Sequence, residues 1–441
     1  MNNWITINNC VLGNSSQFGY QSSITTNITN SLSTFLQDPK IVVVLYNKNT
    51  GECYTKTGYD LGNKSDFDVN NSFTAYVAYS RINGTGTNTN TNTNTNTGTG
   101  TNTNTNTGTG KVTWDGTQFN LNGSKFYPAG FNAYWMGLME DYSYPKNTEI
   151  EQMFIIAQKM AATVIRSHTL GFSSGSSQSL RPNSNTLNNS AWAPIDYAFK
   201  CANQYNIKLI VSLTDNYQYY HGGYTDYCNT RNVDKSVFFT DPNVRSDFKQ
   251  YISDYLNHTN SLTGIQIKND PSVLMIELGN ELGNWSNIIP TQDWLSDISS
   301  YIKSITNIMV LDGTDVDLGQ CGNFQVNTLD AYTGHFYDQN FSRMDNTITQ
   351  TSALKKPYIL GEYASNFDIN FFKQVEQRTG INGSVFWSLY SNKDGVMDNG
   401  TPIIHNDGYT LNWTSNNMTQ LLVLSNHFRR LQGLPETSQF S

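Results

Sequence analysis

Val273-Leu274-Met275-Ile276-Glu277-Leu278-Gly279-Asn280-Glu281-Leu282-Gly283-Asn284-Trp285 is the stretch whose reading decides the fold. Its first four residues are wholly apolar, and such a short run reads as a strand buried on both faces, as in parallel sheets. The run ends at Leu278-Gly279-Asn280-Glu281, an amide and then a carboxylic acid where the strand leaves the core. Desolvation at such a lip raises a carboxyl pKa toward neutrality. A second run, Pro357-Tyr358-Ile359-Leu360-Gly361-Glu362, also delivers a carboxylate to its end.

Outward from these two runs, everything after Lys111 alternates strand with helix. Strands are predicted at 126–132, 163–169, 208–214, 273–279, 308–312, 332–337, 358–362 and 384–389. Amphipathic stretches lie between them, at 149–161, 192–205 and 244–258; the last follows Asp241-Pro242, a good helix start. A small hairpin over 114–123 precedes the first strand. Eight strands with intervening helices predict an α/β fold, a (β/α)8 TIM barrel with enlarged loops over 111–441. The rival, a doubly wound open sheet, needs a glycine-rich phosphate loop after its first strand, and none is present.

Residues 1–82 read as a small β-rich accessory domain. The β-branched run at 40–46, the turn residues at 47–51 and the return at 52–56 make a hairpin, and 73–79 alternates as another strand. The phrase Gly51-Glu52-Cys53-Tyr54-Thr55-Lys56 faintly resembles the last strands of PAN/apple modules, without their set of cysteines; the ligand of this domain is left open. From 83 to 110 the chain collapses into Thr alternating with Asn or Gly, a linker with nothing to build a core from.

Composition narrows the function. Of 441 residues, 13% are aromatic, including 26 Tyr and 8 Trp, and 14% are charged. A formal charge of −8 gives no reason to expect a nucleic acid or an anionic membrane surface as partner. No apolar run approaches the roughly 20 residues that span a bilayer. Met1-Asn2-Asn3-Trp4-Ile5-Thr6 has neither a basic n-region nor an apolar h-region, so no export signal is visible. Cys10, Cys53, Cys201, Cys228 and Cys321 form no CxxC pair, so neither a zinc site nor a disulfide framework is expected; Cys10 and Cys53 are the candidate pair. A monomer without cofactor is expected.

In a barrel of this kind the reactive groups sit at the carboxyl ends of the strands. Those ends carry Asn132 and Trp135, Arg166 and His168, Asp215 and Asn216, Asn280 and Glu281, His335 and Tyr337, Glu362, and Trp387. Two acids on two strand ends, amid polar and aromatic side chains, suit cleavage of a glycosidic bond, with one carboxyl protonated and the other ionised.

Here the resemblance becomes specific. Phe131-Asn132-Ala133-Tyr134-Trp135, Arg166, Gly279-Asn280-Glu281, His335-Phe336-Tyr337, Gly361-Glu362 and Trp387 resemble the signature of glycoside hydrolase family 5, in the clan of retaining barrel glycosidases. Arg166-Ser167-His168-Thr169-Leu170-Gly171 and Leu213-Thr214-Asp215-Asn216-Tyr217 resemble its fungal mannan endo-1,4-β-mannosidases. Those enzymes often carry Arg-Thr-Trp where this chain has Arg166-Ser167-His168, so cellulose and other β-glycans stay open beside mannan.

The resemblance implies that Glu281 is the acid/base and Glu362 the nucleophile. It implies that Asn280 meets the sugar 2-hydroxyl, that Tyr337 bonds the nucleophile and that His335 lines the cleavage subsite. Arg166 would hold Glu362 as an anion, and Trp387 would offer its face to the pyranose. Trp135 and the cluster Tyr217, Tyr219, Tyr220 and His221 would extend that platform. Each has a plainer alternative. Glu277 competes with Glu281 but should lie deeper, in a neutralised structural role; Arg166 and His168 suit buried hydrogen-bonding roles, and Trp387 suits a core. Asp215, Asp312 and Asp394 lack calcium-loop spacing, so no metal is expected. The rival function is a barrel that binds carbohydrate, or attaches to a surface, after losing catalysis.

Overall fold

A computed structural model describes residues 110–440 except 184–185, 284–286, 315–319, 392–404 and 406, together with the backbone of five strands between residues 4 and 78. The chain forms two compact units, Met1–Asn102 and Thr103–Ser441, which divide within the Thr/Asn/Gly run.

In the first unit, β1 (Trp4–Leu12), β2 (Gln21–Ile24), β3 (Ile41–Asn47), β4 (Glu52–Thr57) and β5 (Phe67–Ala78) form one sheet in the order β1-β5-β3-β4-β2. The hairpin expected between 40 and 56 is the antiparallel pair β3–β4. The Cys10–Cys53 pairing concerns side chains outside the described residues.

The second unit opens with a three-stranded antiparallel sheet of β6 (Val112–Trp114), β7 (Phe119–Leu121) and β8 (Ser124–Phe126). Eight parallel strands follow: β9 (Ala129–Asn132), β10 (Val164–Ser167), β11 (Lys208–Ser212), β12 (Val273–Glu277), β13 (Met309–Leu311), β14 (Tyr332–His335), β15 (Tyr358–Glu362) and β16 (Gly383–Phe386). Their order, β13-β12-β11-β10-β9-β16-β15-β14, brings the last strand back beside the first, and a parallel bridge between Leu311 and Ala331 closes the ring. This is the expected (β/α)8 barrel. The predicted first strand, 126–132, is divided: Phe126 ends β8 and Ala129 begins β9. Pro128, which has no N–H to give a ladder, stands between them.

Two-residue periodicity sorts the side chains. Ile165, Val211, Ile276, Val310, Leu360 and Phe386 join the large outer core under the helices. Val164, Ile210, Met275, Ile359 and Val385 form an inner cluster with Val112, Phe119, Leu121 and Phe126, so the front sheet plugs the amino-terminal end of the barrel. Apolar residues at helical spacing supply the outer layer. Helix α1 (Asn147–Lys159) buries Ile150, Met153, Phe154 and Ala157, and α2 (Trp192–Tyr205) buries Ile195, Ala198, Phe199 and Ala202. Helix α3 (Pro242–Asn257) starts where Asp241 accepts from the backbone N–H groups of Asn243 and Val244 at 2.7 and 3.1 Å, with proline at its first position. Each fully buried Leu, Ile or Phe stabilises the fold by roughly 1.5–3 kcal/mol relative to exposure. That core carries the polar groups buried at the other end. Among the described residues no helix is long and apolar enough to cross a membrane.

Candidate active site

The hub of the carboxyl end is Arg166, the third residue of β10, with no exposed side-chain surface. Its guanidinium grips Glu277 of β12 as a fork, with Nε and Nη2 each 3.0 Å from a carboxylate oxygen. The remaining donors reach Asn280 Oδ1 (2.7 Å, from Nη2), Asn132 Oδ1 (2.9 Å) and Glu362 Oε1 (2.8 Å), both from Nη1. All five N–H donors are engaged, a geometry that a planar guanidinium supplies and an ammonium does not. Burial works against its charge, but Glu277 and then Glu362 more than offset that and raise its pKa. Glu277 thus lies below the pocket, neutralised by Arg166 and hydrogen-bonded to Ser212 of β11.

Glu362 ends β15, its carboxyl held at both oxygens. Oε1 takes Arg166, and Oε2 takes the Tyr337 hydroxyl at 2.7 Å. Burial pushes its pKa up; His335 and then Arg166 pull it down, Glu281 pushes it up, and the Tyr337 bond lowers it, leaving it above the ordinary value of 4.5. Gly361 makes room at this point: a Cβ there would lie 2.3 Å from Thr333 Oγ1 and 3.0 Å from His335 Nε2.

Glu281 stands just past β12. A parallel bridge between Asp215 and Asn280 extends the sheet one step beyond the strand, after which Glu281 adopts a left-handed backbone, φ +48°. Such a φ is uncommon for a residue with a Cβ and concentrates at functional sites. The turn points the carboxyl across the barrel mouth, where Oε1 lies 2.5 Å from His335 Nδ1; the same nitrogen is 3.5 Å from Glu362 Oε2. Burial lowers the pKa of His335 to about 4. A neutral imidazole therefore sits between two carboxyl groups, and the donor atoms of Glu281, His335 and Glu362 all lie within 4.8 Å of one another. Among the described residues this trio is the grouping that could ligate a metal ion. Both Glu362 oxygens are already engaged by Arg166 and Tyr337, which suits an acid pair better than a cage.

A pocket of about 200 Å³, open to solvent, lies above the pair. Its wall includes His168, Asp215, Tyr217, Asn280, Tyr337 and Trp387, with Tyr219, Tyr220 and His221 alongside. Trp387 is stacked on Tyr134 (centroids 5.3 Å apart, 18° between planes), and its Nε1 donates to Asp407 Oδ2 at 2.6 Å. The Tyr217 hydroxyl neighbours Glu281, and burial, then that carboxyl, raise its pKa. Asp215, 1% exposed, accepts from the Tyr217 backbone at 2.7 Å and from Asn280 Nδ2 at 3.2 Å, and lies 3.1 Å from His221 Nε2.

Two residues read from the sequence as touching substrate lie elsewhere. Trp135 is 0% exposed, packed on Tyr390 (4.4 Å between centroids) with its Nε1 donating to the Leu389 carbonyl. It extends no platform, because the chain after β9 turns that ring inward and leaves Tyr134 beside Trp387. Asn132 is also fully buried; its amide donates to the Gly361 and Phe386 carbonyls and accepts from Arg166, bracing β9, β15 and β16 under the site. The sequence reading missed Tyr134, Glu140, His405 and Asp407. Glu140 accepts from the Tyr134 hydroxyl at 2.6 Å and from the His405 backbone at 2.9 and 3.0 Å, so the loops after β9 and β16 meet over the tryptophan. The available signal was the indole itself: a buried Trp N–H needs an acceptor. Asp394 lies outside the described residues.

A closed parallel barrel with two carboxyls facing each other across an aromatic-walled pocket has the build of a glycoside hydrolase. Over residues 110–359 the chain matches the family described as GH family 5 beta-mannosidase-like, and it belongs to that family. It is 27% identical over 359 residues to mannan endo-1,4-beta-mannosidase 1 of Arabidopsis thaliana, covering 67% of this chain and 85% of that protein. Its fold is similar to that of the endo-1,4-beta-mannanase from Rhizomucor miehei (TM-score 0.60, 23% identity, 73% of this chain and 99% of that one). It is also similar to that of a glycoside hydrolase family 5 mannosidase from the same organism (TM-score 0.62, 17% identity, 74% and 98%). The chain is a glycoside hydrolase.

Proposed function

We propose that this enzyme hydrolyses a β-linked polysaccharide, β-1,4-mannan, with retention of configuration through a double displacement. Glu362 is the nucleophile and Glu281 the acid/base. The observation that carries the reading is the approach of their carboxyls: donor atoms within 4.8 Å fit the short separation of retaining enzymes, about 5–5.5 Å, and leave no room for the water an inverting enzyme places between acid and base. In the first step Glu362 attacks the anomeric carbon while Glu281 gives its proton to the departing glycosidic oxygen. In the second, Glu281 takes a proton from water, whose oxygen displaces Glu362. The negative charge of Glu362, anchored by Arg166 and Tyr337, favours a proton on Glu281 between turnovers. Asn280, oriented by Arg166 and Asp215, meets the 2-hydroxyl, and Trp387 takes the face of the ring. The substrate is carried over from curated relatives named as mannan endo-1,4-beta-mannosidases.

The test is reducing-sugar release from mannan, cellulose, xylan and β-1,3/1,6-glucan, with NMR of the first-formed anomer. Mannan should be cut fastest and the β-anomer appear first. Glu362→Gln should lose at least about 1,000-fold in kcat. Equal activity in that variant refutes the nucleophile, a first-formed α-anomer refutes retention, and binding without turnover in the wild type favours the carbohydrate-binding alternative.

A further inference from the structure

His168 stands out on the pocket wall. It is 3% exposed, and neither ring nitrogen has a hydrogen-bond partner of normal geometry among the described residues. Burial, then the charge of Arg166, pushes its pKa well below the ordinary value, so the ring is neutral, with one N–H donor and one acceptor. A buried ring nitrogen without a well-formed hydrogen bond costs free energy, and in a binding pocket a ligand hydroxyl can supply that bond. Across from it, Nε2 lies 4.0 Å from Asp215 Oδ2, too far for a direct bond. An oxygen about 2.8 Å from each atom fits that gap, accepting from the imidazole N–H and donating to the carboxylate.

We propose that His168 and Asp215 form a slot for one free sugar hydroxyl, making His168 a residue that selects substrate. The location says which hydroxyl, on the reading that Asn280 meets the 2-hydroxyl. Asn280 Nδ2 donates to the same Asp215 oxygen at 3.2 Å, so the slot takes the next group around the ring, the 3-hydroxyl of the sugar at the cleavage site. His221, 3.1 Å from that oxygen, steadies the carboxylate from behind. His168 and Trp387 pack in a T-shaped contact (centroids 5.4 Å apart, 77° between planes), which fixes the imidazole beside the sugar platform. A ring substituted on this hydroxyl fills the slot with a group that cannot donate, so His168 and Asp215 gain no bridging partner from the sugar. An aromatic ring at position 168 would offer stacking with no such discrimination.

The experiment compares kcat/KM for 4-nitrophenyl β-mannobioside with analogues that are 3-deoxy or 6-deoxy in the ring bearing the nitrophenyl group. Wild type should lose on the order of 100-fold or more on the 3-deoxy compound, because buried polar groups are left unpaired, and only a few-fold on the 6-deoxy one. His168→Phe should slow the parent compound and bring the 3-deoxy ratio to within a few-fold; His168→Gln should restore part of it. A wild-type ratio below about fivefold overturns the slot, as does an unchanged ratio in His168→Phe. Should His168→Phe not fold, the wild-type ratio decides. If no β-mannoside is cleaved, the proposed substrate fails separately, and the slot is decided on the corresponding 3-deoxy β-cellobioside.

Discussion

Tyr337→Phe isolates one bond in the acid pair. The hydroxyl gives Glu362 Oε2 a hydrogen bond of 2.7 Å, and a bond to a charged oxygen contributes about 1.5–3 kcal/mol. It acts on the ionised form, so it lowers the Glu362 pKa; removing it raises that pKa further. At 1.36 kcal/mol per pH unit, the acid limb of the kcat/KM profile should move upward by about one to two pH units. On that limb activity falls tenfold per unit, so at a fixed acidic pH the variant should be about 10- to 100-fold slower, with a smaller difference on the plateau. The limb reports the coupled pair and not one carboxyl alone. Stability carries the same sign. The folded-state pKa of Glu362 lies above 4.5, so its contribution is fully present below that value and is lost as pH rises through the folded one. Tyr337→Phe should therefore lower Tm at pH 7 and lose most of that effect by pH 4. Stopped assays from pH 3 to 8 and calorimetry at both ends read the outcome. An unmoved acid limb, together with an equal Tm loss at both pH values, would refute the claim that Tyr337 supports the anion.

Three further substitutions test other parts of the site. Glu281→Ala should lower kcat on mannan by about 100- to 10,000-fold, retain activity on aryl glycosides with good leaving groups, and respond to azide; lacking both effects, Glu281 is not the acid/base. Asp407→Ala removes the 2.6 Å acceptor of Trp387 Nε1, worth about 1 kcal/mol, so KM should rise about fivefold with kcat nearly unchanged. A fall in kcat with KM constant would move Asp407 out of the platform. Gly361→Ala puts a Cβ 2.3 Å from Thr333 Oγ1 and should destabilise the barrel by about 1–3 kcal/mol in urea unfolding. Adding Thr333→Ala should recover part of that loss; no recovery would show that the clash lies elsewhere.

The barrel was legible because its strands are short apolar runs and its helices carry apolar residues at helical spacing. Both periodicities are written in local sequence, and both serve one core. The acids were legible for a related reason: carboxyls cluster where buried runs end, near the mouth of the barrel, although Glu277, directly after such a run, lies beneath the pocket and Glu281, four residues on, reaches the mouth. The division of 126–132 was less visible, since Pro128 marks a break but does not say which sheet each half joins. Trp135 shows the limit most clearly. Two adjacent aromatics, Tyr134 and Trp135, are equivalent in composition, and a single turn of backbone after β9 decides which one faces the pocket.

What the sequence determined by itself is the order of strands and helices, the class of chemistry, and the positions of Glu281, Glu362 and Arg166 near strand ends, because buried charge is costly and is found only where it is used or paired. The partners were decided only in three dimensions. Arg166 divides its donors between Glu277 and Glu362, which lie 111 and 196 positions away along the chain, and Asp407 reaches Trp387 from a polar loop with no periodic pattern. Hydrogen bonds act over about 3 Å, so their pairing belongs to the closed barrel, which alone brings such distant positions within that reach.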